Sequence, residues 1–228
     1  MKKILPSIVT KRAIAKSSPL LFDPCGILQP FTVRGKMILR ELWSRRLSWD
    51  EPIDDDLREI WEIWINDLDF IETLMIERSY CMKQVLNSQV FGFRDASNNC
   101  YATAMYLKSQ LIDSTVEVSL VASKSKICPL KQENLIIPKK ELLAAVLTAR
   151  LTTFVRDSLS MFGMTIRGCF SDSQIVLCWI KGSEEKLGQF VLNRVREIQS
   201  LIPKDDGSMS SRKKIRRICQ AVESRQNN

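Results

Sequence analysis

The chain has 228 residues, 45% of them hydrophobic, and a formal net charge of +8. That length suffices for one or two domains with real cores. There is no histidine, which excludes a histidine zinc site, a Ser-His-Asp triad and a Cys-His pair together.

The positive charge gathers at the ends. Residues 1–22 hold five basic residues and no acid, and residues 204–228 carry a net +4, leaving −1 for the middle. Such ends suit a polyanion, and equally suit solvated tails. The seven cysteines show no C-x-x-C spacing. With no secretory signal, since Pro6 breaks the early apolar run, this odd count implies a reducing, intracellular setting, cytoplasmic or nuclear. No run approaches the roughly 20 apolar residues of a membrane span, so no membrane partner is expected.

Residues 1–22 read as a loosely packed lead-in. Asp23-Pro24-Cys25-Gly26 is turn chemistry. A helical pattern then runs through Met37, Ile38, Leu42 and Trp43 to about Leu47. After Pro52, Asp54 or Asp55 is a plausible N-cap for a second helix. Its stripe of Leu57, Ile60, Trp61, Trp64, Ile65 and Leu68 has the spacing of a core face. The period changes near Cys81. Gln89–Arg94, Tyr101–Leu107 and Val116–Ala122 predict three strands, with a turn at Ser97-Asn98-Asn99. Pro138 opens a helix from Lys139 towards Leu159. Thr165–Phe170 is a fourth strand, Ser171-Asp172-Ser173 leads into a helix ending at Gly182, and a last helix spans Gln189–Leu201. Residues 204–228 form a basic, polar tail for which disorder is expected. The fold class is therefore mixed α/β, in the order β-β-β-α-β-α-α after an N-terminal helical segment.

Three carboxylates stand at the edges of different elements: Asp95 near the end of the first strand, Glu141 at a helix start, and Asp172 after the fourth strand. Such a set fits a hard cation, because Mg²⁺ takes oxygen ligands and bridges to substrate phosphate.

A strand–strand–strand–helix–strand order with acids at those places resembles the ribonuclease H-like fold. The resemblance extends to specific strings: L-F-D-P-C-G-I-L-Q-P-F-T-V-R-G-K-M-I-L-R-E-L-W, L-S-W-D-E-P-I, F-G-F-R-D-A-S, V-A-S-K-S-K-I-C-P-L-K, I-P-K-K-E-L-L-A-A, S-D-S-Q-I-V-L-C-W-I and F-V-L-N-R-V-R-E-I-Q. In that order, over about residues 8–203, they resemble Pao/BEL-type LTR retrotransposon polyproteins, in a region sometimes labelled a Pao retrotransposon peptidase. The resemblance implies a lead-in (1–22), a helical reverse-transcriptase connection (23–82), a C-terminally truncated ribonuclease H-like domain lacking its last strand (83–203), and the tail (204–228).

By resemblance, Asp95, Glu141 and Asp172 would be catalytic and would ligate two Mg²⁺ (or Mn²⁺) ions, and the substrate would be the RNA strand of an RNA–DNA hybrid. A reverse-transcriptase domain of the parent polyprotein would be a further partner. Ser171 and Ser173 are candidates for phosphate contact or helix capping, and Lys124 and Lys126 for phosphate contact. Arg94 and Lys140 depart from the family pattern, and alternation along the strand should point Arg94 away from Asp95. A fifth strand and an Asn-Pro-Ala-Asp-like segment bearing a fourth carboxylate are expected after the last helix and are not found. Asp205 and Asp206 lie in the wrong context, so the ancestral activity is expected to be impaired and a sheet edge left bare. No Tyr-x-Asp-Asp polymerase string occurs, nor any Asp-Thr-Gly or Asp-Ser-Gly peptidase loop. Three readings stay open: a hybrid ribonuclease, a catalytically inactive retroelement remnant that binds nucleic acid, and a product without a selected role.

Overall fold

The computed structural model describes residues 8–17, 21–76, 84–130, 134–162, 164–202 and 210–211. It divides into two compact units: Met1–Arg78 with Pro129–Glu133, and Ser79–Cys128 with Asn134–Asn228.

The first unit is helical. It contains α1 (Lys11–Ser17), α2 (Gln29–Ser44), α3 (Asp55–Asn66) and α4 (Leu68–Glu72). Helix α1 lies where a loosely packed lead-in was expected. It forms because Ile14 is buried, and because Lys11 is held with its Nζ 3.5 Å from the Trp43 ring centre and 3.1 Å from the Leu47 carbonyl oxygen. A cation over an indole face keeps much of its stabilisation when water is excluded. Arg12 pairs with Asp50 at 2.7 Å. Two of the five basic residues of the lead-in are thus engaged within the unit.

Helix α2 starts eight residues before Met37, from which the sequence pattern was traced. The Asp23 carboxylate accepts the backbone N–H groups of Ile27 and Leu28 just ahead of it, and Pro30 sits in its first turn. Asp54 is the N-cap residue of α3, but its side chain makes no capping bond. Arg45 instead gathers Asp54, Asp56 and Glu41. As expected, Trp61 and Trp64 are core residues; Trp64 stacks on Phe31 at 4.9 Å and donates to the Phe31 carbonyl at 3.0 Å.

The second unit is a five-stranded sheet carrying helices. In chain order it contains β1 (Val85–Ala96), β2 (Cys100–Leu111), β3 (Val116–Ile127), α5 (Ile137–Leu159), β4 (Thr165–Ser171), α6 (Gln174–Lys181), α7 (Gln189–Leu201) and β5 (Ser210–Ser211). The spatial order is β3-β2-β1-β4-β5. β1 pairs antiparallel with β2 and parallel with β4, so the first and fourth strands point the same way at the sheet's centre. The first three strands each run twelve residues, longer than the hydrophobic runs that marked them.

The expected element order holds through α7, and the edge beside β4 differs from expectation. Two residues, Ser210 and Ser211, pair parallel with Phe170 and Ser171, in the place where a fifth strand was thought missing. Asp205, Asp206 and, apart from Ser210 and Ser211, the rest of the tail lie outside the described residues.

Helix α5 is the central helix of this unit. Leu142, Ala144, Ala145, Thr148, Ala149 and Thr152 are all buried, and its small residues allow close approach to the sheet. Two hydroxyl contacts, from Thr148 and Thr152, fix its position. Thr148 Oγ1 lies 3.0 Å from Thr103 Oγ1 on β2, and Thr103 in turn donates to the Phe93 carbonyl at 3.0 Å. Thr152 Oγ1 lies 3.2 Å from Cys169 Sγ on β4.

In the first unit a Cβ at Gly35 would meet Trp64 Cζ2 at 2.6 Å, against a rigid, buried ring. Gly35→Ala is therefore expected to cost about 1–3 kcal/mol through overpacking. Urea unfolding monitored by tryptophan fluorescence checks this; an unchanged midpoint would contradict the packing.

Candidate metal centre

The site is built by register. Phe93 on β1 is level with Phe170 on the parallel β4. Two residues further along each strand direction lie Asp95 and Asp172, so parallel pairing brings these two acids level with each other. Helix α5 supplies the third. Its contacts step from Thr152, beside Cys169, to Thr148, above Thr103, whose cross-strand partner is Arg94. Seven residues back from Thr148, two turns along the same face, is Glu141. One carboxylate oxygen from each of Asp95, Glu141 and Asp172 lies within 4.8 Å of the others.

Exposure differs among the three. Asp95 and Asp172 are exposed, whereas Glu141 is buried. Asp95 Oδ1 accepts the Ala96 backbone N–H at 2.8 Å. Glu141 Oε2 is buried with no hydrogen-bond partner. An unanswered buried carboxylate oxygen is costly, and a cation is a natural answer to it. Burial pushes the Glu141 carboxyl up to about 7; the charges of Asp95 and Asp172 push the same way, against Arg94 and the Ala96 backbone hydrogen bond. The donor set is all oxygen and all carboxylate, which suits Mg²⁺ or Mn²⁺.

The remaining sequence candidates divide. Ser171 ends β4 and is buried, and its hydroxyl accepts the Ser173 backbone N–H at 3.1 Å, bracing the turn that carries Asp172. Ser173 holds the N-cap position of α6 but makes no side-chain capping bond. Lys124 and Lys126 are exposed on the edge strand β3, level with Thr103 and Tyr101.

Lys126 also lines a cavity of about 310 Å³ with Tyr101, Arg150, Asn193, Arg194 and Glu197. Arg150 pairs with Glu197 at 2.6 Å, and the Arg194 guanidinium lies 3.8 Å from the Phe190 ring centre. The sequence reading missed Arg150, Asn193 and Arg194 here. Helical spacing alone places Arg150 on an α5 face and Arg194 on an α7 face, and no sequence pattern says that those faces meet.

Arg94 does point away from Asp95, as alternation demands. Its partner across β2 is Thr103, which faces α5, so Arg94 lies beneath that helix and is 6% exposed. Burial holds its guanidinium down to about 10, while Cys169, Glu141 and Asp172 pull it up. Lys140 is buried too, and donates from Nζ to the Asn98 carbonyl at 2.9 Å.

The model of the Pao retrotransposon-like RNaseH-like domain family matches residues 10–173, from the helical unit through the serine after Asp172. The chain belongs to this family. Among solved structures, an RNase H1 from the halophilic archaeon Halobacterium salinarum NRC-1 is 15% identical, with a TM-score of 0.32 over 55% of this chain and 84% of that one. Two structures of a foamy viral protease-reverse transcriptase, described as complexes with double-stranded DNA, are 10% and 12% identical. Their TM-scores are 0.48 and 0.45; each match covers 87% of this chain, which spans 40% and 34% of theirs. No curated protein sequence matches the chain. The family's ribonuclease H-like fold is thus the fold of the second unit. Among the described residues, no helix is long and apolar enough to cross a membrane.

Glu141 yields a pH prediction. Its folded-state value near 7 lies above its ordinary 4.5, so the stability it contributes is complete below about 4.5 and lost as pH rises through 7. In EDTA, the native protein should lose roughly 1–2 kcal/mol more over that window than Glu141→Gln, after allowance for solvent screening. Parallel urea midpoints from pH 4 to 8 measure it; curves that never diverge would refute the assigned burial.

Proposed function

We propose that the second unit is a divalent-metal-dependent nuclease module acting on the RNA strand of RNA–DNA hybrids, with Asp95, Glu141 and Asp172 as its metal ligands. One observation carries this reading: three carboxylates from three elements converge within 4.8 Å, one of them buried with an unanswered oxygen. Like charges are brought together at a cost, and a site built to take a cation recovers that cost.

Bound there, Mg²⁺ or Mn²⁺ would activate water and stabilise the leaving oxygen of an in-line displacement. Asp95 and Asp172, exposed at the ends of parallel strands, face solvent and can meet a phosphate together with its ion. Glu141 anchors from below, and its carboxyl must be ionised to serve, so loading strengthens as pH rises through about 7. Lys126, Arg150 and Arg194 around the neighbouring cavity supply positive charge for a strand's phosphates. Discrimination of RNA would rest on its 2′-hydroxyls.

A second reading, hybrid binding without cleavage, is favoured by one specific observation. The buried Arg94 charge bears on Glu141 and Asp172, the residues that would have to hold the ions.

Native protein with Mn²⁺ or Mg²⁺ is expected to cut the RNA strand of a labelled hybrid. Asp95→Asn, Glu141→Gln and Asp172→Asn should each slow cleavage by about a hundredfold or more, since losing one ligand disrupts the ion geometry. Equal rates in all four proteins would end the nuclease reading. Retained, salt-sensitive binding with no cleavage in any of them would favour the second.

Binding has its own check. Arg194→Ala and Lys126→Ala should each weaken hybrid binding about equally for all sequences, and lower the salt slope by about one. Unchanged slopes would remove the cavity from the interface.

A further inference from the structure

Arg94 is the least expected residue of the site. A guanidinium is a permanent charge, and here it is enclosed by three elements of the fold. Across β2 it meets Thr103. Along the parallel β4, the step after the Phe93–Phe170 pair puts it level with Ser171, which is itself buried. Above it lies α5, whose Thr148 contacts Thr103 and whose Glu141 stands two turns nearer the helix start. Glu141 and Asp172 are among the negative groups acting on it. A second buried cation stands close in the fold: Lys140, adjacent to Glu141, is tied to the turn three residues after Asp95.

We propose that Arg94 is a fixed counter-cation of Glu141 and Asp172, steadying the converging carboxylates without metal and weakening their grip on divalent cations. The proposal rests on the metal reading of this same site.

The physics is Coulombic. Three converging carboxylates present up to three negative charges, and a divalent cation is held by all of them. One positive charge fixed on the residue next to Asp95, in surroundings of effective dielectric near 20, opposes that cation and is expected to cost about tenfold in affinity. The same charge lowers the mutual repulsion of the trio when no metal is present. Arg94 acts through the ligands and touches no substrate atom, so it is a positioning residue. Its side chain cannot be deprotonated at working pH, which separates its effect from the titration of Glu141.

The test measures metal binding and needs no substrate. Mn²⁺ is titrated calorimetrically into EDTA-stripped native protein, Asp95→Asn, Arg94→Gln, Arg94→Met and Arg94→Lys. The expected result is tighter Mn²⁺ binding by about tenfold in the Gln and Met variants. Arg94→Lys, which keeps the charge, should stay within about threefold of native. Both neutral variants should melt at lower temperature than native in EDTA and recover most of the difference with Mn²⁺. Affinity in the Gln and Met variants equal to or weaker than native overturns the proposal, as does tightening in Arg94→Lys to the same extent.

Folding failure is informative as well. A neutral variant that is unfolded in EDTA but folds on adding Mn²⁺ supports the proposal, because the ion then replaces the missing charge. One that stays unfolded at saturating Mn²⁺ overturns it. The underlying metal reading fails separately: it falls if Asp95→Asn binds Mn²⁺ as tightly as native, whatever the Arg94 variants do.

Discussion

Three carboxylates within 4.8 Å repel one another, and the second unit is arranged to contain that repulsion. Asp95 and Asp172 keep their contact with water, where the field between them is screened. Glu141 does not, and its proton is held to unusually high pH as a result. On the α5 side of β1, the buried positive charge of Arg94 acts on Glu141 and Asp172. Breaking up a buried charge arrangement is commonly costlier than never having built it, so these positions are coupled.

The positions of the acids depend on how α5 lies against the sheet. That helix is placed by hydroxyl and thiol contacts from Thr148 and Thr152, set among alanines that allow close approach. A sheet with two parallel central strands then brings residues after each strand's end level without any long-range instruction. Ser171 turns inward to accept the Ser173 N–H, and so holds Asp172 where α6 begins. Asp95 and Asp172 sit at strand ends for the reason usual in α/β sheets: there the backbone leaves the ladder and side chains reach solvent.

The helical unit employs its charge differently. Lys11 lies on Trp43, Arg12 on Asp50, and Arg45 gathers three carboxylates. These are exposed or half-exposed ion pairs apart from Lys11, so each contributes little to stability singly. Lys11 and Arg12 are thereby occupied within the unit, although the charge count groups them with the basic end suited to a polyanion. Among the described residues of the second unit, Lys126, Arg150 and Arg194 line an open cavity, and Arg150 shares its charge with Glu197.

The amino-acid sequence by itself determined the element order, the buried stripe of α3 apart from Ile60, which is exposed, and which three acids come together. Those signals are local: hydrophobic period, turn residues and motif spacing depend on neighbours along the chain. It also placed Arg94 on the strand face opposite Asp95, because side chains alternate. What only the tertiary structure decided is what covers that face. The packing of α5 turned an expected misfit into a buried charge beneath Glu141, and the same packing deprived the Glu141 carboxylate of water. Helix α1 and the short β5 escaped the sequence reading because each is held by partners distant along the chain: Trp43 and Leu47 for Lys11, and the end of β4 for Ser210 and Ser211. Periodicity records which residues can share a face; which faces meet, and what charge is enclosed when they do, is set by long-range packing alone.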